Sequence, residues 1–251
     1  MAKILSFILL AMPICAAAYA QEQVQPSPAP EPALVSAPSS TWSAGAEAGA
    51  VATTGNTETR NISTKFRIEN DRRDWRYRLN AEYLNASDKK QTTAEKASTL
   101  FKTDYKMTEL DYLFGVIRYE TDRFSGYRTQ SSESAGYGRR FTIGERMNLE
   151  AEVGAGARQT RYVDGTKKND NILRFAGKFI RSIGTASEFR EEAFTELARN
   201  NTHTESVTSL KSRINGNLSM KAAYTMTHNS RVPEGIKKTD TITSLTLVYD
   251  L

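Results

Sequence analysis

The sequence predicts an all-β protein, a transmembrane up-and-down antiparallel β-barrel of about twelve strands with both termini on the periplasmic side. Three observations predict it. Apolar and polar residues alternate with period two over most of the chain, short and longer connections alternate between the strands, and aromatic residues gather near the predicted strand ends.

The amino terminus is read apart from the barrel. Lys3, the apolar run from Ile4 to Ala18 and the small residues Ala18-Tyr19-Ala20 make residues 1–20 a secretory signal peptide, shorter than the roughly 20 apolar residues of a membrane helix. The one cysteine, Cys15, falls inside it, so the remainder has no disulfide to rely on. Residues 21–41 carry Pro26, Pro28, Pro30, Pro32 and Pro38 among alanine and serine, the composition of an extended periplasmic tether.

Residues 42–251 are then one barrel domain of about 210 residues, a length barrels commonly reach. Its mean hydropathy belongs to a chain at -0.54, which by itself suggests a soluble protein. Barrels, however, alternate lipid-facing with lumen-facing residues and average to a hydrophilic composition.

The expected strands are 42–53, 57–69, 75–85, 93–105, 110–121, 129–141, 146–158, 168–181, 187–198, 205–215, 218–227 and 239–251. In the seventh, Met147, Leu149, Ala151 and Val153 oppose Asn148, Glu150, Glu152 and Gly154; in the third, Trp75, Tyr77 and Leu79 oppose Arg76, Arg78 and Asn80; in the eleventh, Leu218, Met220 and Tyr224 oppose Ser219, Lys221 and Thr225. Connections after even strands are short, as in 70–74 and 106–109; those after odd strands are expected to be longer, as in 159–167 and 228–238, with a tight Gly55-Asn56 hairpin as the exception. Trp42, Trp75, Tyr105, Tyr112, Phe141, Phe179 and Tyr249 mark one predicted rim, and Tyr83, Tyr119, Phe124, Tyr127 and Tyr162 the other.

The last strand places Leu245, Leu247, Tyr249 and Leu251 on one face, with Ser244, Thr246 and Asp250 on the other. Such an edge needs a partner, and the first strand is the expected one. The four apolar residues are read as the assembly signal offered to the barrel-assembly machinery.

Charged side chains face lipid only at high cost, so the alternation sends them inward. The expected lumen-facing set is Glu47, Glu82, Glu150, Glu152 and Asp250 with Lys65, Arg67, Arg76, Arg78, Lys102, Arg158, Arg174, Lys178 and Lys221. Two readings of the lumen follow, beside an alternative in which the barrel is a surface-interaction protein working through its outer loops. Either these charges pair and fill the barrel, or their basic surplus lines a narrow passage for small anions.

Other chemistries have little support. His203 and His228 are expected in or beside solvated loops and in no catalytic motif, so no enzymatic activity is expected. No metal or other cofactor is expected, and Asp164-Gly165 and Asn169-Asp170 read as turn formers. The net charge of +5 is spread through alternating strands without a nucleic-acid-binding pattern. Expected partners are outer-membrane lipid and lipopolysaccharide, the latter through Arg118, Arg123, Arg128, Arg161, Lys167 and Lys168.

The opening strand with its tryptophan, the hairpin Thr53-Thr54-Gly55-Asn56-Thr57-Glu58, the strand Asp74-Trp75-Arg76-Tyr77-Arg78-Leu79 and the closing Leu245-Thr246-Leu247-Val248-Tyr249-Asp250-Leu251 resemble the salt-induced outer-membrane protein family, the YdiY-like barrels. The resemblance spans residues 42–251 and implies an outer-membrane barrel of a Gram-negative bacterium with no established activity. Leu251 departs from the phenylalanine with which such barrels commonly end.

Overall fold

Period-two patterning produces twelve strands among the residues that the computed structural model describes, 41–54, 59–88, 91–122 and 127–251. The expected leader at 1–20, the tether up to residue 40, the Gly55-Asn56 turn, Arg123 and Phe124 lie outside the described residues. The strands are β1 Thr41–Thr54, β2 Thr59–Asp71, β3 Trp75–Asp88, β4 Gln91–Lys106, β5 Asp111–Asp122, β6 Tyr127–Ile143, β7 Met147–Tyr162, β8 Lys167–Ile183, β9 Ser187–Ala198, β10 His203–Asn215, β11 Leu218–Asn229 and β12 Thr239–Asp250.

Each strand pairs antiparallel with its sequence neighbours, and β12 closes on β1 from Gly45↔Asp250 to Thr54↔Thr241. Beyond the ladder, the Leu251 amide donates to the Ala44 carbonyl at 2.8 Å. Closure removes both sheet edges and leaves no strand to template aggregation.

The two ends of the barrel differ less than the sequence suggests. At one, the turn end, the connections are 72–74, 107–110, 144–146, 184–186 and 216–217; Gly144 and Gly184 take φ of 63° there, where a side chain would be strained. At the other, the loop end, 163–166 and 199–202 are equally brief and only 230–238 is long among the described connections. The expected loop 159–167 shrinks because pairing continues through Arg161↔Lys167, which also draws Asn169 and Asp170 into β8 rather than a turn. Asp164 does form a turn: it accepts the Thr166 amide at 2.8 Å, and that bond holds its carboxyl below the ordinary range.

Polarity is inside out. Phe66, Ile117, Leu173, Phe175, Leu245 and Leu247 are 46–58% exposed on the outer face, while Asp104, Arg158 and Glu196 are buried on the inner one. The side chains of Trp42, Trp75, Tyr105, Phe141 and Tyr249 stand exposed near the turn end, with Tyr83 and Tyr119 exposed toward the loop end. Tyr112 and Tyr127 do not belong to either outer ring; both turn inward, where each hydroxyl donates to a carboxylate, Glu152 and Glu120 respectively. Tyr112, Phe114 and Val116 form a small apolar cluster inside the barrel, with Leu100 packed against it. Gly138 makes room for it, since a Cβ there would lie 2.4 Å from the Tyr112 ring.

Candidate functional site

The inner face places alternate residues of every strand in one enclosed space, and the charges there organise into three groups. The first lies toward the turn end of β3 to β7. Arg76 holds Asp104 at 2.6 Å and reaches Glu150 at 3.0 Å, a contact between β3 and β7 that only the barrel interior permits. Arg78 meets the same Asp104 oxygen at 3.0 Å, and Lys102 pairs with Glu152, the acceptor of the Tyr112 hydroxyl at 2.7 Å. Asp104 is fully buried, so its partners Arg76 and Arg78, with Lys102 at 3.5 Å from its other oxygen, are what permit its charge there.

The second group occupies the loop-end half. Arg118 on β5 and Glu205 on β10 come from nearly opposite walls and join in two contacts, at 2.7 and 3.3 Å. Arg118 also donates to Glu120 at 2.8 Å, and Glu120 takes Lys96 at 3.3 Å. Beside it Arg174 lies 3.2 Å and Arg158 3.5 Å from Glu196, whose other partner is the Ser132 hydroxyl at 3.0 Å. Two guanidinium groups lie over the Phe194 ring, that of Arg174 at 4.4 Å and that of Arg118 at 4.9 Å from its centre. His203 is 2% exposed and contacts Asn229 at 3.0 Å through Nδ1, against Phe194.

The third group lines the remaining wall. Lys65 pairs with Glu82 at 3.1 Å, Lys221 with Glu47 at 3.0 Å, Lys178 with Glu192 at 3.6 Å and Arg67 with Asp250 at 3.9 Å. Lys65–Glu82 and Lys178–Glu192 join adjacent strands and keep more solvent, the Glu82 and Glu192 side chains being 46% exposed, while Lys221–Glu47 and Arg67–Asp250 each reach past one strand. The interior is thus packed where β5 faces β10 and wetter along β1, β2, β9 and β12.

The description "Protein of unknown function, DUF481" names a family that matches residues 46–251. The chain belongs to this family. The "Uncharacterized protein YdiY" of Escherichia coli (strain K12) is 28% identical over 205 residues, 81% of each chain. Among solved structures the NanC porin is similar at 11% identity and a TM-score of 0.57, covering 82% of this chain and all of that one. At such identity the likeness concerns the fold.

Within this DUF481 barrel all fourteen residues named above as the expected lumen-facing set have an ionic partner; the set contains the wall-crossing pairs Arg76–Glu150 and Lys102–Glu152 but neither member of the Arg118–Glu205 bridge. Asp104, Arg118, Glu120, Glu196 and Glu205 share the inward parity of their neighbours Lys102, Phe114, Arg174 and His203; Asp104, two residues after Lys102, was readable from that parity alone. Two expectations are corrected. His203 is not a solvated loop residue but the first, buried residue of β10. Arg118 is not at an outer rim, its guanidinium being engaged inside; Arg128, Arg161, Lys167 and Lys168 are exposed near the loop end.

Proposed function

We propose that this DUF481 protein is an outer-membrane barrel of a Gram-negative bacterium, exported by residues 1–20, with its termini and turn end toward the periplasm. Its interior is a narrow, charge-lined passage for small solutes. The apolar outer face over a charged inner one carries the membrane reading, because that arrangement is stable only where lipid surrounds the wall. The Arg118–Glu205 bridge carries the functional one, since it crosses the interior while other walls keep partly solvated ion pairs beside it.

In this reading solute moves along the wetter wall of β1, β2, β9 and β12 and is restrained at the bridge. Because interior cations pair with carboxylates, the passage prefers anions only weakly. The exposed Arg128, Arg161, Lys167 and Lys168 then face lipopolysaccharide phosphates, and Leu245, Leu247, Tyr249 and Leu251 meet the assembly machinery. A role under salt or osmotic stress is the setting we attach to the passage, on the family resemblance. No enzymatic step, metal or other cofactor is assigned.

A second reading is favoured by the burial of Asp104, Arg158 and Glu196: a filled barrel in which the ion pairs hold the walls and nothing passes. Planar-bilayer recordings separate the two. The passage reading expects small conductance steps in the native protein, larger ones in Arg118→Ala, and a shift toward anions in Glu205→Gln. Silence in all three proteins overturns the passage and leaves the filled barrel.

A further inference from the structure

One seam of the outer face is largely polar, interrupted by Phe189, Leu210 and Ala193. On β9 and β10 the outward residues pair as Ser187 with Ser212, Phe189 with Leu210, Glu191 with Thr208, Ala193 with Ser206 and Thr195 with Thr204. Their orientation is fixed by parity. Leu197 and Leu210 on the same face are 41% and 47% exposed, whereas Glu196 and Ser209 on the opposite face are buried.

The seam's own bonds tie it together without emptying it. Ser206 donates to Glu191 Oε1 at 2.6 Å and Thr208 to Oε2; Thr195 and Thr204 meet at 3.1 Å, as do Ser187 and Ser212. A carboxylate accepts about four hydrogen bonds, so Glu191 retains acceptor capacity. Each hydroxyl pair likewise spends one of its two hydrogens and keeps the other.

Elsewhere the outer face carries Leu79, Phe101, Ile117, Val153, Phe175 and Leu247, with a further outward carboxylate, Glu133, accepting from Gln159 on β7. A carboxylate among such residues is costly against hydrocarbon, and hydroxyls contribute nothing there. Against another protein wall the same residues become useful. Short side chains at Ala193, Thr195, Thr204 and Ser206 allow close approach, and hydroxyls and carboxylate supply hydrogen bonds across it.

We propose that the outer face of β9 and β10 is the contact through which two copies of this chain pair side by side in the membrane. The inference rests on the reading that the outer face meets lipid. The seam carries both donors and an acceptor, so it complements itself. A two-fold axis along the membrane normal sets equal depths opposite each other, so the Ser206 and Thr208 hydroxyls of each copy can exchange their bonds to their own Glu191 for the same bonds to the other's.

The test uses the full chain in native membranes, in a Cys15→Ala background that leaves no other cysteine. Ser206→Cys is compared with Ala155→Cys on the outer face of β7, under oxidation and with a short bismaleimide. The expected result is a cross-linked band of twice the chain mass from Ser206→Cys and none from Ala155→Cys. Adding Glu191→Ala should reduce the yield about tenfold or more, the factor for losing a hydrogen bond to a charged group. Scattering mass in lipid nanodiscs, measured on the chain without substitutions, should show two copies. A monomer there, equal cross-linking at both sites, or a heterologous partner at Ser206→Cys each overturns the proposal. Fractionation of the same cells reads the membrane reading separately: a soluble chain refutes that reading, while a membrane-bound monomer refutes only the pairing.

Discussion

The loop-end bridge and the wall pairs use the same residue types and do different work. Arg118–Glu205 and Arg158–Glu196 join walls or bury charges almost completely, whereas Lys65–Glu82 and Lys178–Glu192 join adjacent strands and remain partly solvated. Water decides the difference. A solvated pair is screened and contributes about 0–1 kcal/mol, while removing one member of a buried pair strands the other and costs about 3–5 kcal/mol. The paired interior therefore contains both a cross-brace and a wetted lining.

The largest effect should come from the most buried carboxylate. Asp104→Asn leaves Arg76 and Arg78 without their shared charge and should lower unfolding free energy by about 3 kcal/mol or more in urea titrations of the barrel in lipid vesicles. Next, replacing both ends of the bridge in Arg118→Met with Glu205→Leu should cost less than Arg118→Met alone, because Glu205 is then not stranded, while Glu120 keeps Lys96 and the Tyr127 hydroxyl in both variants. The same titration checks it, and a simple sum of the two single effects would contradict a direct pair. On the wetted wall, Lys178→Met should change stability by less than about 1 kcal/mol. A loss as large as that of Asp104→Asn would erase the distinction between the two regions.

The fold was readable where each strand has one apolar and one polar face. Met147 to Arg158 and Trp75 to Glu82 announce their register in this way, and β12 announces its need for β1. β5 does not. Tyr112, Phe114 and Val116 on one face and Leu113, Ile117 and Tyr119 on the other are all apolar or aromatic, so polarity cannot choose between them. Pairing chooses instead: Lys106↔Tyr112 and Asp104↔Phe114 put Tyr112 on the charged inner side. β9 hides its outer seam for the opposite reason, since Glu191 and Glu192 are consecutive and both faces look polar. Connection lengths were overestimated because polar residues such as Arg161 and Lys167 read as loop, although the ladder only requires their backbones. The partners across the interior were invisible to any single strand, because β5 and β10 meet only once the barrel has closed.

The smallest effect concerns the chain end. Leu251 is exposed beside Ala44, to which its amide and carbonyl are bonded, so Leu251→Phe should raise assembly yield modestly and leave the unfolding midpoint unchanged. Unchanged yield would remove Leu251 from the assembly signal.

The central claim, a closed barrel seated in lipid, is tested most directly by electrophoresis of membrane fractions with and without boiling. The account predicts that the chain is found in the outer-membrane fraction and that unboiled protein migrates differently from the boiled, unfolded chain. Recovery of the protein wholly in the soluble periplasmic fraction would contradict it.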